Sequence, residues 1–231
     1  MGFSPKTFIF LEDNHIHNSR EWFASNKKEY EDYVLSPLID LVVNLTPTMQ
    51  KIDNEFICEP KVDRAISRIY RDIRFSKDKS IYRDLMWIVF TREKKLYNGL
   101  PGYYLEISPS GFRYGCGFYQ ASTATMEYMR QLILNNDKEF KKALKAYENQ
   151  KTFSLTGDLY KKNKFTSQPE KIQNWLNRKS VHLLKESNDM NLLFSNNFAS
   201  LIAEEFVQIK PIYDFFLKAN TRTLTKDNEV I

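Results

Sequence analysis

Three short runs in the middle of the chain, Leu85 to Thr91, Tyr103 to Ile107 and Phe112 to Tyr119, are dense in aromatic and β-branched residues and are separated by turn-forming residues. That composition suits a pleated surface, so the runs predict an antiparallel meander. The first connection carries Asn98, Gly99, Pro101 and Gly102, and the second is Ser108, Pro109, Ser110 and Gly111, both supplying turn dihedrals. A sheet of this kind must bury a face, and the sequence on either side offers helices to cover it.

Before the runs, Trp22, Phe23, Asn26, Tyr30, Tyr33 and Val34 recur at three- and four-residue spacing behind Asn18 or Ser19, which predicts a helix from Ser19 to Leu35. Ser36 and Pro37 then begin a second helix, or kink the first, with Leu38, Leu41, Val42 and Leu45 continuing its apolar stripe. After the runs, Met126, Met129, Ile133 and Leu134 mark a helix behind Ser122, and Phe140, Leu144 and Tyr147 another behind Asn136. Thr152 to Thr166 reads as a polar loop. Ser167 and Glu170 form a capping-box pattern for a helix whose stripe is Ile172, Trp175, Leu176, Leu183 and Leu184. Phe198, Leu201, Ile202, Glu205, Phe206 and Ile209 give a last helical region up to Pro211, followed by Tyr213 to Leu217. The expectation is an α+β fold, an antiparallel sheet of at least three strands packed against helices from both halves of the chain. It comprises a single domain over residues 1–218 and a loose C-terminal tail over 219–231. Seventeen Phe and 13 Tyr against 7 Gly predict a core of large side chains.

Charge is distributed unevenly. Between Lys61 and Arg83 there are eight basic residues (Lys61, Arg64, Arg68, Arg71, Arg74, Lys77, Lys79, Arg83) against Asp63, Asp72 and Asp78, a surplus equal to the net +5 of the whole chain. Such a patch attracts phosphate, carboxylate or nucleic acid without specifying a reaction. At 100° per residue, Val62, Ala65, Ile66, Ile69 and Ile73 share one sector while Arg64, Arg68, Arg71 and Arg74 lie opposite, which predicts an amphipathic helix with a guanidinium face. A loop should follow from Phe75 to Ser80.

The run Pro60-Lys61, then Arg68-Ile-Tyr-Arg-Asp-Ile-Arg-Phe-Ser-Lys-Asp-Lys79 and Tyr82, resembles the signature of an uncharacterised family, the domain of unknown function numbered 2461. Arg20-Glu-Trp-Phe23 with Asn26, Lys27 and Tyr30, Pro101-Gly-Tyr-Tyr104, Gly157-Asp158 and Arg178-Lys-Ser180 follow in the family's order. The resemblance covers roughly residues 8 to 218. It implies one domain and brings no reaction, cofactor or catalytic residue with it. Ile81 stands where a proline is usual, Arg83 where a lysine is, and Asn163 where a second proline is.

Arg68, Arg71, Arg74, Lys77, Lys79 and Tyr82 are therefore the candidate ligand-binding residues, suited to a small anionic or phosphorylated ligand because guanidinium forks match phosphate and carboxylate. Two alternatives stand beside this reading. One is nucleic acid, with Tyr70, Phe75, Tyr82 or Tyr104 stacking on bases. The other is a purely structural network of arginines with Asp72, Asp78 and the acids Glu21, Glu29 and Glu31, in a protein whose function depends on a partner. Lys161, Lys162, Lys164 and Lys179 form a second, thinner basic group, able to share one pocket with the first if their loop folds over it.

Other chemistry is thinly represented. His15 and His17 with Glu12 or Asp13 have a permissive metal spacing, but loop histidines in solvent are the plainer reading, and no metal or cofactor is implied. Cys116 lies between Gly115 and Gly117, where a substrate could approach the backbone; a small residue on a strand is the simpler account. With only Cys58 beside it, no disulfide framework is suggested. No nucleophile elbow, P-loop or dinucleotide fingerprint is present, so whether the chain is an enzyme is left open. No apolar run approaches the ~20 residues that span a bilayer, and residues 1–10 lack a secretory pattern, so the expectation is a cytoplasmic protein.

Overall fold

The computed structural model describes residues 2–74, 77–92 and 99–227, without the side chains of 221–227. It is an α+β fold built on a five-stranded antiparallel sheet. The N-terminal helices are α1 (Pro5–His17), α2 (Arg20–Ser25), α3 (Lys27–Tyr30) and, after a π-helical turn at Glu31–Leu35, α4 (Ser36–Ile52). The sheet begins with β1 (Met86–Phe90), β2 (Pro101–Ser108) and β3 (Gly111–Phe118). Next come α5 (Thr123–Leu134), α6 (Lys138–Asn149), β4 (Ser154–Thr156), α7 (Glu170–Leu176), β5 (His182–Ser187), α8 (Met190–Leu193), α9 (Phe198–Gln208) and α10 (Lys210–Asp227). The strand order is β1-β2-β3-β5-β4.

The chain divides into two compact units. One comprises residues 1–90, 104–114 and 186–204, the other 91–103, 115–185 and 205–231.

In the first unit, α1 precedes the helix foreseen from Ser19. Pro5 occupies its first turn, where a missing N–H costs nothing, and Asn18 ends it in the left-handed conformation (φ 43°). Ser19 then caps α2, its Oγ accepting from the Trp22 N–H at 3.2 Å. The expected continuous helix to Leu35 is broken at Asn26 and widens into the π turn just before Pro37. Proline at 37 cannot donate to the carbonyl of Tyr33, and a widened turn relieves the ring's clash with it. The freed Tyr33 carbonyl is taken instead by the hydroxyl of the fully buried Thr7, at 2.7 Å.

The guanidinium-faced helix does not form. Residues 66–71 leave a turn at 63–65 and run extended beside β1: the Ser67 N–H donates to Trp87 O at 2.9 Å and the Val89 N–H to Ala65 O at 2.8 Å. The chain then doubles back, with the Arg71 N–H on Ile81 O and the Arg83 N–H on Ile69 O, both at 2.9 Å. β1 is the first strand in the sheet order, so its outer backbone groups need partners, and this segment supplies them. The helical wheel placed Val62 and Ile73 in the core, yet they are 36% and 43% exposed; Ala65, Ile66 and Ile69 are the buried residues.

The meander is present as expected, with Met86, Ile88 and Phe90 buried on β1 and Tyr103, Leu105 and Ile107 on β2. Of the first connection, Asn98 lies outside the described residues.

In the second unit, two differences from the sequence reading have one cause. The helix of Trp175 stops at Leu176, and Leu183 and Leu184, assigned to its stripe, lie on β5 instead. Part of the expected polar loop, Ser154–Thr156, is β4, pairing antiparallel with β5 through Leu155 and Leu183. A short apolar run of this kind satisfies either period, and a neighbouring strand decides. The core gathers Trp175 with Phe140, Tyr147, Phe215 and Phe216 at ring separations of 5.7, 5.7, 6.2 and 6.3 Å. Beyond Ala219 the chain continues as α10 to Asp227, with Asn220 buried and its Oδ1 accepting from the Thr125 hydroxyl at 3.2 Å.

Candidate functional site

The central arginines are distributed over separate ion pairs. Arg68 Nε bonds to Asp63 Oδ1, and Arg64 Nε lies 3.6 Å from Glu59. Arg74 reaches Asp72 through Nε and Nη2 at 3.0 and 2.7 Å. Arg71 donates from Nε to Ser80 Oγ at 2.9 Å and places Nη2 3.1 Å from Asp78. Its side chain is 22% exposed, against 63% for Arg68 and 76% for Arg74, so of these three guanidinium groups only that of Arg71 is substantially shielded from water, and its partner Asp78 remains half exposed. The Arg74 guanidinium and its backbone N–H hold the Asp72 carboxyl down at about 2. The extended backbone explains the pattern. Asx-type turns fix two of the aspartates, with Asp72 Oδ1 accepting from the Arg74 N–H and Asp78 Oδ1 from the Ser80 N–H.

Lys79 Nζ donates to the Ile73 carbonyl at 2.8 Å, and Lys77 is exposed. Tyr82 faces inward, fully buried, stacked on Phe23 at 4.8 Å and 5.0 Å from the ring of Tyr70. Asn18 Oδ1 accepts from the N–H groups of Ile81 (2.7 Å) and Tyr82 (3.3 Å), fastening the motif's return strand to the end of α1. The two family-like stretches of the first unit, Arg20–Phe23 and the central motif, thus meet through an aromatic contact and a helix cap.

Sequence reasoning missed a cleft of about 610 Å³ in the same unit, lined by Asp84, Glu106, Arg113 and Glu186 among others. Arg113 Nε pairs with Glu106 at 2.7 Å, and that hydrogen bond raises the arginine further above its ordinary range. Counting back from the two-residue turn at Pro109 and Ser110 would have set Glu106 opposite Arg113.

Packing accounts for His17 and Cys116. His17 stacks on Trp22 at 4.9 Å, and His15 and His17 lie in the last turn of α1 and not in a loop. Among the described residues no group of three His, Cys, Asp or Glu is placed to hold a metal. What approaches Gly115 and Gly117 is β5. A Cβ on Gly115 would lie 1.8 Å from Leu183 O, and one on Gly117 2.5 Å from His182 Cα. Burial pushes the Cys116 thiol well above its ordinary range, as expected of a packed side chain.

In the second unit the two other family-like stretches interlock. Gly157 O accepts from Arg178 Nη1 at 2.9 Å, the Asp158 N–H donates to Ser180 Oγ at 2.9 Å, and the Lys179 N–H to Asp158 O at 2.6 Å. Lys161 and Lys162 are exposed, while Lys164 and Lys179 turn toward Tyr160.

No helix among the described residues is long and apolar enough to cross a membrane. A family model described as Conserved hypothetical protein (DUF2461) matches residues 6–215. No curated protein matches the chain.

Proposed function

We propose, for a chain that belongs to the conserved hypothetical protein family DUF2461, that the central arginine motif has an architectural function and that ligand or partner is received elsewhere. The observation that carries this is that Arg64, Arg68, Arg71 and Arg74 each lie against a carboxylate, of Glu59, Asp63, Asp78 and Asp72 respectively. Charges already compensated locally have little left to offer an incoming anion, and the pairs close the turn that presents residues 65–71 to β1. The nucleic-acid reading has weaker support. Of the rings offered for stacking, Tyr82 is buried and Tyr104 half-buried, Phe75 lies outside the described residues, and Tyr70 alone is exposed.

A second reading, a small anionic ligand held by the motif, is favoured by the exposed Lys77 and by the surplus of eight cations over four acids across residues 59–83. Single replacements separate the two. On the architectural reading Arg71→Gln lowers stability, through loss of the ion pair and hydrogen bond made by a largely buried guanidinium, while Arg68→Gln and Arg74→Gln leave both stability and any phosphate-induced rise in Tm unchanged. Should Arg68→Gln with Arg74→Gln fold normally and abolish such a rise, the motif is a binding site and the architectural reading fails.

A further inference from the structure

The second unit contains a set of cations that, unlike the central arginines, have no acidic partners among the described residues. Arg130 on α5 is buried, 8% exposed, with its guanidinium 5.1 Å from the centre of the Tyr160 ring. Lys164 Nζ lies 4.2 Å and Lys179 Nζ 5.7 Å from the same ring centre. Arg130 spends Nε on Leu176 O at 3.0 Å and Nη2 on Arg178 O at 2.6 Å, both neutral carbonyls. Its Nη1 and the Tyr160 hydroxyl make no hydrogen bond among the described residues, and none of the three cations pairs there with a carboxylate. Asp158, the acid nearest in sequence, is exposed and contributes only its backbone groups.

The neighbouring Arg178 repeats the pattern. It is 7% exposed and bonded to Gly157 O, Leu155 O and Asn174 Oδ1, and among the described residues it meets no carboxylate and its buried Nε has no partner. Like charges converging on one ring repel, and carbonyls satisfy hydrogen bonds without cancelling charge. Cation–π contact offsets part of this cost, on the order of 1 kcal/mol per exposed contact. Among the described residues no carboxylate compensates the arrangement. It combines one fixed guanidinium, held by two carbonyls and so pre-organised, with two exposed, mobile ammonium groups able to close over whatever binds. A buried arginine that positions and surface lysines that follow suit a compact, multiply charged anion.

We propose that Arg130, Lys164, Lys179 and Tyr160 form a binding site for a phosphate-bearing small molecule. The guanidinium and the two ammonium groups compensate the phosphate charge, and the Tyr160 hydroxyl donates a hydrogen bond to one of its oxygens. Lys161 and Lys162, exposed on the same loop, extend the positive field toward solvent.

The test uses the whole chain with inorganic phosphate and pyrophosphate as probes, by thermal shift and titration calorimetry at constant ionic strength. Arg130 also ties α5 to two backbone carbonyls, so the variants are chosen at exposed positions: Lys164→Ala, Lys179→Ala, their combination, and Tyr160→Phe. The expected result is a Tm rise in the parent, larger for pyrophosphate. Affinity should fall about tenfold for each lysine removed and the rise should vanish in the double variant, with Tm in the absence of probe unchanged. Arg68→Gln with Arg74→Gln serves as the control and retains the rise. No rise in the parent, or a rise undiminished in the double variant, overturns the site. A single-stranded oligonucleotide bound more tightly than pyrophosphate, and lost in the same variants, overturns the small-ligand assignment.

Discussion

Gly157→Ala should be among the most damaging single-methyl changes available to this chain. Gly157 has φ +117°, a region that L residues enter only with strain, and a Cβ built on it would lie 2.1 Å from Ser180 O and 2.6 Å from the carbonyl carbon behind it. The conformational cost is on the order of 1–3 kcal/mol. The overlap is with backbone, so it cannot be relieved by rotating a side chain; the two strands of chain must separate by about 1 Å to restore a van der Waals distance. That movement pulls on the Asp158 to Ser180 hydrogen bond at 2.9 Å and on the charged bond from Arg178 to Gly157 O, also 2.9 Å. Losing the latter adds roughly 1.5–3 kcal/mol. The sum is about 2.5–6 kcal/mol, at the upper end of what point mutations do. Urea unfolding followed by circular dichroism should show the midpoint falling by roughly 2 M with an unchanged slope, for a typical slope of about 2 kcal/mol/M. Gly2→Ala, whose added methyl meets nothing within 4 Å, is the control and should not move it. A loss below about 1 kcal/mol for Gly157→Ala would mean that the backbone relaxes freely there, and the argument from close approach would be wrong.

Three further outcomes follow from single environments. Burial raises the Tyr30 phenol to about 12, so its native form keeps its proton after the unfolded chain, titrating near 10, has lost it. The stability this protects is fully present below pH 10 and drains away by roughly 2–3 kcal/mol as pH rises toward 12; Tyr30→Phe should flatten that alkaline limb in a Tm-against-pH series. Cys58 is partly accessible and Cys116 fully buried, so a thiol reagent should modify Cys58 in the native protein and Cys116 only in denaturant, with equal rates excluding the packed-thiol account. Thr91 Oγ1 is buried without a partner among the described residues, so Thr91→Val should leave stability unchanged or raise it by up to about 1 kcal/mol in chemical denaturation. A loss of that size would reveal a bond to the hydroxyl.

Much of the fold could be read locally. The meander, the helices behind Ser122 and Asn136, and the cap at Ser19 follow from period and turn chemistry, which act over a few residues. The ligand chemistry was less legible. Arg68, Arg71 and Arg74 were visible as a charge surplus, but their pairing with Asp63, Asp78 and Asp72 depends on a turn that a helical wheel erases. Arg130 gave no signal at all, because a single arginine in an amphipathic helix is ordinary until its burial is known. Lys164 and Lys179 are legible in the sequence only as charge. Tyr160, the ring around which they gather, was one of 13 tyrosines.

By itself, then, the sequence determined that aromatic and β-branched runs near the centre would form a sheet covered by helices from both halves, and that positive charge would concentrate in one stretch. The tertiary structure decided what the stretch became. Residues 62–74 satisfy a helical period in isolation, but the open edge of β1 offers Trp87 O and Val89 N–H, and completing those bonds draws the segment into extended form. The same dependence on a distant partner places Leu183 on a strand and brings Arg130, Tyr160, Lys164 and Lys179 to one point. Hydrogen-bond completion and charge compensation act between residues far apart in the chain, and no local pattern encodes which of them will meet.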